Sequence, residues 1–97
     1  MKLIVIQRHI RNLMGIESGV FEINPDRARE IIFTYDPEYV LEAVGDGAPA
    51  IVISGQILGS GMVGTDLARE VKRVNPQAQF YIYSVLPEWN EAVDGII

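Results

Sequence analysis

Short apolar runs rich in β-branched residues alternate with amphipathic stretches along this chain, and this alternation constrains the fold most. Runs of this kind and length are typical of strands that are buried in a sheet. Strands that alternate with helices predict βαβ units, and therefore an open, mostly parallel α/β sheet. The predicted strands are Lys2 to Ile6, Glu30 to Tyr35, Ala50 to Ile53 and Gln79 to Ser84, with a fifth that begins at Asp94.

Two of the intervening stretches predict well-defined helices. The first begins at Asp36, whose carboxylate can cap a helix, has Pro37 at the first helical position and ends at Gly45. The second has Thr65 as its expected cap and ends at Asn75, with its apolar side chains at helical spacing. Weaker signals predict an extended piece over residues 19–23, a short helix over 25–29 and another over 86–93.

The composition excludes several classes of function. The chain has 97 residues, enough for one small domain that spans residues 1–97. It contains no cysteine and one histidine, which excludes thiolate chemistry and multi-histidine metal sites. Thirteen acidic against eight basic residues give a net charge of −5, which disfavours nucleic acid as a partner. Because no apolar run reaches the roughly 18 residues of a membrane span and the start lacks a signal pattern, we expect a cytoplasmic domain.

A glycine motif offers one interpretation of function. Gly59, Gly61 and Gly64 match G-x-G-x-x-G between a predicted strand and a predicted helix, the setting of a dinucleotide-binding loop. In this alternative, the chain is a small nucleotide- or flavin-binding domain that holds phosphate at the helix N-terminus. However, the loop begins several residues after the strand ends, and the next strand ends at Ser84 rather than at a carboxylate for a ribose hydroxyl. We therefore expect no cofactor.

A second interpretation explains more residues. Three segments occur in order along the chain: a predicted strand at 49–53, a Ser-Gly-Met-Val-Gly loop at 60–64 and a predicted strand at 82–85. Together they resemble the receiver domain of bacterial response regulators, and the first strand and the helix start at Asp36 fit the same pattern. The resemblance covers nearly the whole chain except residues 10–29. It implies a flavodoxin-like sheet of order 2-1-3-4-5, here with a partial last strand and no last helix.

The resemblance also implies a magnesium site, but the residues at its positions have the wrong chemistry. Receivers hold Mg²⁺ with an acidic pair after the first strand, and the positions of that pair fall on Gln7 and Arg8. A hard divalent cation prefers anionic oxygens, whereas these residues offer a neutral amide and a repelling charge. Arg8 is expected to be either an ordinary surface arginine or a guanidinium that occupies the space left by the cation.

The phosphate-accepting residue is missing as well. Counted back from Gly64, the position of the acceptor Asp falls on Gln56, or on Gly55 or Ser54 after a shift of one or two residues. None of the three is a carboxylate that could form an acyl phosphate. Only the Ser84 position keeps the residue type of the family. We therefore expect a degenerate pocket, made of Gln7, Arg8, Gln56 and Ser84, in a protein that is not an enzyme.

Without phosphotransfer, the resemblance favours a signalling module that acts by contact with a protein partner. Trp89 is expected either to anchor that partner or to pack in the core. In receivers the first and last helices cover one face of the sheet, and that face would be exposed here, so a homodimer is expected. The remaining alternative is a truncated or designed fragment without a function of its own.

Overall fold

Six strands form one sheet in the computed structural model, which describes residues 1–8, 20–23, 30–58, 61–84 and 87–97. Two helices are described, α1 (Pro37–Val44) and α2 (Gly64–Val74). The strands are β1 (Lys2–Ile6), β2 (Val20–Ile23), β3 (Glu30–Thr34), β4 (Ala50–Ser54), β5 (Gln79–Ile82) and β6 (Gly95–Ile96). The predicted helix over 25–29 lies outside the described residues.

The strand order across the sheet is β2-β3-β1-β4-β5-β6. The five neighbouring strands β3, β1, β4, β5 and β6 are parallel to one another. Their order confirms the predicted flavodoxin-like order 2-1-3-4-5, in which β3 takes the place of the second strand. The remaining strand, β2, is antiparallel and lies at the edge beside β3, where the sequence predicted only an extended piece. The register pairs Ile4 with both Ile32 and Val52, and Val52 with Phe80, so even-numbered residues of these strands share one face.

Both helices pack on this even-numbered face, because the crossovers from β3 to β4 and from β4 to β5 move in the same direction across the sheet. Their apolar stripes and the strands form one continuous core. Burial of these side chains is the main favourable term for the fold. The fully buried members from the sheet are Ile4, Ile6, Ile32, Val52, Phe80 and Ile82, and those from the helices are Val40, Val44, Leu67, Ala68 and Val71.

The capping residue was predicted correctly for α1 but not for α2. Asp36 caps α1 as predicted, with its carboxylate accepting from the N–H of Glu38 at 3.0 Å. Thr65 does not cap α2: the cap is Val63, and Thr65 is buried in the first turn. The helix begins earlier because the Gly64 N–H is already held by a tertiary hydrogen bond to the preceding loop. Neither described helix has the length and apolarity of a membrane span.

The segment that precedes β6 is not helical over residues 87–93, so the predicted short helix is wrong there. Its polar groups bond to distant elements or to a local turn instead. Asn90 donates to the carbonyl of Thr65 at 2.9 Å and accepts from the N–H of Ala92 at 2.9 Å. These bonds hold the segment against α2 and replace the ladder that a helix would need.

At the amino edge of the sheet, the buried Asn75 joins three segments. Its amide donates to the carbonyls of Val44 at 3.1 Å and Ala48 at 2.7 Å, and its oxygen accepts from the N–H of Gln77 at 3.0 Å. With 1% of the residue exposed, these partners replace water for a fully buried amide. The residue that ends α2 therefore also fixes the end of α1.

Two lysines act in a similar way at the same edge. Lys2 donates to Asp46 at 2.9 Å and to a carbonyl of α1, and Lys72 donates to Asp94 at 2.7 Å and to the carbonyl that precedes β5. Partial burial alone would raise the pKa of Asp94, but the hydrogen bonds from Lys72 and from the Phe80 N–H outweigh it and lower that pKa. The amino edge is thus held by charge-assisted hydrogen bonds.

Candidate functional site

The carboxyl ends of β1, β4 and β5 lie side by side, and this edge is where open α/β sheets bind ligands. The hydrogen-bond ladder continues past the strands. Gly55 N–H donates to the carbonyl of Ile6 at 3.0 Å, and Tyr83 N–H donates to the carbonyl of Ser54 at 2.8 Å. The residues that follow the three strands therefore line one edge, as the sequence predicted.

Gln7 lies directly against Gly55 at this edge. A Cβ atom built on Gly55 would be 2.8 Å from Gln7 Oε1 and 3.4 Å from its carboxamide carbon. A contact below 3.0 Å requires something to move, and here the group that would move is the end of the flexible Gln7 side chain. Of the three positions that the sequence left open for the acceptor, the structure places Gly55 opposite Gln7.

Gln56 is turned away from this contact. Its Oε1 accepts from the N–H of Glu88 at 2.9 Å, and its backbone carbonyl accepts from the N–H of Gly64 at 2.6 Å. The residue is 7% exposed, and its buried Nε2 has no acceptor among the described residues. Gln56 therefore connects the loop after β4 to the segment 87–93, and it does not share a pocket wall with Gln7.

The remaining residues named for the pocket differ in burial and in hydrogen bonding. Ser54 is fully buried, and its hydroxyl donates to the carbonyl of Gly55 at 2.8 Å, so it is neither accessible nor activated as a nucleophile. Ser84 is half-buried and Arg8 is exposed. Within the described part of the chain, no hydrogen bond joins Ser84 or Arg8 to the other predicted pocket residues. Among these residues, the contact that the structure shows for Gln7 is with Gly55.

In the loop that contains Gly59, Gly61 and Gly64, the described glycine N–H groups donate to carbonyls of the preceding residues. Gly61 has φ +85°, a conformation that favours glycine, and its N–H donates to the carbonyl of Leu58 at 3.2 Å. The Gly64 N–H donates to the carbonyl of Gln56. Gly59 lies outside the described residues. A dinucleotide loop would direct such N–H groups at a pyrophosphate, so their internal pairing speaks against the nucleotide alternative.

Gly64 has a packing role instead. A Cβ atom on Gly64 would lie closer than 3.0 Å to the carbonyl oxygen of Gly55 and to Cδ1 of Ile82. In the first turn of α2, the N–H of Asp66 donates to the carbonyl of Val63 at 3.1 Å. The glycine is therefore required because the start of α2 sits directly on the ends of β4 and β5.

The described residues also offer no metal centre. No group of three or more His, Asp or Glu side chains among them is arranged to hold a metal ion. Asp36 follows β3 at this edge, but its carboxylate is used to cap α1. Thr34, at the end of β3, is fully buried and accepts from the N–H of Asp36 at 3.0 Å. The polar groups that end β3 therefore serve the turn into α1.

Several large exposed side chains lie at this edge, and we call the three that follow β4 and β5 the edge patch: Ile57, Tyr83 and Trp89. They are 61%, 59% and 60% exposed, respectively. Ile57 and Trp89 each adjoin one partner of the hydrogen bond between Gln56 and Glu88. The sequence singled out Trp89, but it assigned Tyr83 to a strand interior and contained no signal for Ile57. Their exposure depends on where the loops end, which local periodicity does not determine.

Acidic side chains are the main charges near the edge patch. Glu88 adjoins Trp89 and is exposed, and Asp66 is exposed in the first turn of α2. Glu91 pairs with Arg69 at 3.2 Å. Its own backbone N–H and the Arg69 guanidinium lower the pKa of Glu91 below its usual value of 4.5. The described rim of the patch is therefore net negative at neutral pH.

Comparison of the chain with protein-family models, with curated proteins and with solved structures finds no significant match. The fold and the site geometry are therefore the basis for assigning a function.

Proposed function

We propose that this chain is a receiver-like regulatory module that is not phosphorylated, has no enzymatic activity and acts through contact with a protein partner. The observation that carries the proposal is the contact between Gln7 and Gly55. It lies at the sheet edge where the receiver pattern puts its metal and phosphate chemistry, and an uncharged amide fills that place. The flavodoxin-like strand order supports the same interpretation.

The edge patch supports a role in protein contact. Trp and Tyr are enriched among residues that dominate binding energy at protein interfaces, and a desolvated centre with a polar rim is the usual arrangement. Trp89 and Tyr83 provide the aromatic surface, and Glu88 provides part of the charged rim. A partner that contacts this patch would therefore present an apolar segment flanked by basic residues.

The first experiment tests phosphorylation directly. The protein is incubated with acetyl phosphate and Mg²⁺, and the intact mass and the Trp89 fluorescence are recorded. We expect no added phosphoryl group and no Mg²⁺-dependent change, because the described edge has no carboxylate pair to bind the metal. Stable phosphorylation at any residue would contradict the proposal.

The second experiment tests whether the edge has the geometry of a receiver pocket. The double variant Gln7→Asp with Gly55→Asp places two carboxylates at adjacent positions, and the shorter side chain introduced at position 7 leaves room for residue 55. We expect this variant to bind Mn²⁺, measured by electron paramagnetic resonance, while the wild type does not. The variant Gln77→Asp with Gln79→Asp adds the same charge at the amino edge and is the matched control. A folded double variant that binds Mn²⁺ no better than this control would contradict the receiver geometry.

The nucleotide alternative is tested by thermal shift with NAD, FMN and ATP. A ligand present well above its dissociation constant stabilises the native state, by about 2.7 kcal/mol at a hundredfold excess over that constant. We expect no shift, because the N–H groups of Gly61 and Gly64 are already paired. A shift that is lost in Gly61→Ala would favour nucleotide binding over the proposed function.

A further inference from the structure

One face of the sheet carries neither of the described helices. Both helices pack on the even-numbered residues, so the odd-numbered residues of the same strands point to the opposite side. We call this side the open face. Its described side chains include Leu3, Val5, Ile31, Ile51, Ile53 and Tyr81, and each of them is partly exposed.

The strand topology explains why this face needs no crossover helix. A parallel connection from β1 to β3 normally returns from the carboxyl edge to the amino edge across a face of the sheet. Here β2 makes that return within the plane of the sheet, because it runs antiparallel to β3 from Val20, opposite Thr34, to Ile23, opposite Ile31. The helix that would cover the second face of a doubly wound sheet is therefore not required by this topology.

The open face is apolar and uncharged over the described strands. None of its side chains in β1, β4 and β5 is acidic or basic, and the Tyr81 hydroxyl donates to Gln79 Oε1 at 2.9 Å. The Tyr81 ring lies over Gly95, within 3.1 Å of where a Cβ atom would be. The chain has a net charge of −5, so two copies repel one another over most of their surface. An uncharged face is where two such copies can approach at the lowest electrostatic cost.

The size of the face indicates how strong an association it can support. Strands lie about 4.8 Å apart and rise about 3.3 Å per residue, so a six-stranded sheet about five residues long spans on the order of 450 Å². Two copies would then bury on the order of 900 Å² together, which is at the weak end of specific protein interfaces. An apolar patch of this size is at the upper range of what monomers expose.

We propose that the open face packs against the same face of a second copy, to form a reversible homodimer with twofold symmetry. Two apolar sheets packed face to face lie about 10 Å apart with their strands at about −30°. A twofold axis makes each contact self-complementary, and no charged pair is needed in its centre. This dimer does not depend on the proposed receiver-like role.

Sedimentation equilibrium of the full chain, from about 5 to about 500 µM, tests the dimer. We expect the apparent mass to rise from one copy toward two over this range. The variant Ile53→Lys puts like charges face to face in the centre of the interface, so we expect at least about tenfold weaker association. Ala48→Lys adds the same charge at an exposed site at the amino edge, outside both the open face and the edge patch, and is the matched control. It is expected to associate like the wild type.

A monomeric wild type over the whole range would overturn the proposal, and so would association that Ala48→Lys abolishes and Ile53→Lys leaves intact. If Ile53→Lys fails to fold, as judged by circular dichroism, a spin-label measurement replaces it. Because the chain has no cysteine, Gln79→Cys places a single label at the rim of the open face. A defined distance between labels of two copies supports the dimer. Its absence, together with a defined distance from Gln77→Cys, overturns it.

Discussion

The side-chain oxygen of Gln7 occupies the space next to Gly55 where a side chain on residue 55 would begin, 2.8 Å from the built Cβ position. These residues follow two neighbouring strands, β1 and β4, and a side chain on residue 55 would require the end of Gln7 to move. At the edge where open α/β sheets bind ligands, a neutral amide therefore lies against a bare backbone.

The first prediction concerns this pair. Gly55→Ala is expected to lower the free energy of unfolding by about 0.5–1 kcal/mol, because the methyl group forces the end of the flexible Gln7 side chain to shift. Gln7→Ala removes the overlap, so the double variant should recover most of the loss. Urea denaturation of the four proteins of the cycle measures the coupling. Additive losses would show that Gln7 can move aside at little cost.

The second prediction concerns Asn75. Asn75→Ala leaves the carbonyls of Val44 and Ala48 without their partner in a buried site, so the free energy of unfolding should fall by about 2–4 kcal/mol. Gln77→Ala, two residues later at an exposed position, is the control and should change it by less than about 0.5 kcal/mol. Equal effects of the two substitutions would show that the buried amide is not a major tie between the helices.

The third prediction separates a surface role of Trp89 from a core role. Trp89 is 60% exposed, whereas Phe80 is fully buried. Trp89→Ala should therefore change the free energy of unfolding by less than about 1 kcal/mol, and Phe80→Ala should lower it by about 3–5 kcal/mol. Thermal and urea denaturation measure both. If Trp89→Ala lowers the free energy of unfolding as much as Phe80→Ala, Trp89 packs in the core and the edge patch is not a contact surface.

The fourth prediction concerns pH. The folded-state pKa of Asp94 is lowered below its usual value of 3.8, so the carboxylate contributes stability above that value and loses it as the pH falls through the folded-state pKa. Asp94→Asn should therefore reduce the stability difference between about pH 5 and pH 2 in urea denaturation. Glu42→Gln makes the same change in net charge at an exposed helical site and serves as the control. An unchanged acid dependence in Asp94→Asn would assign the effect to other carboxylates.

Local sequence patterns predicted an element correctly where the residues that stabilise it lie close together in the chain. The β-branched run of β1 and the capping sequence at Asp36 predicted their elements closely, because strand burial and helix capping depend on neighbouring residues. Thr65 has an equally good capping side chain, yet the hydrogen bond between Gly64 and Gln56 starts α2 earlier. The predicted helix before β6 failed in the same way, since Asn90 bonds to Thr65 in α2.

The sequence by itself determined the layered α/β architecture and its mostly parallel sheet, since these follow from periodicity, and the strand order was an expectation implied by the resemblance. Only the tertiary structure decided that Gly55 rather than Gln56 faces Gln7, that Ile57 and Tyr83 join Trp89 at the surface, and that both described helices pack on the same face of the sheet. Those features depend on contacts between residues that are distant in sequence, and no local pattern encodes which of several compatible partners will meet.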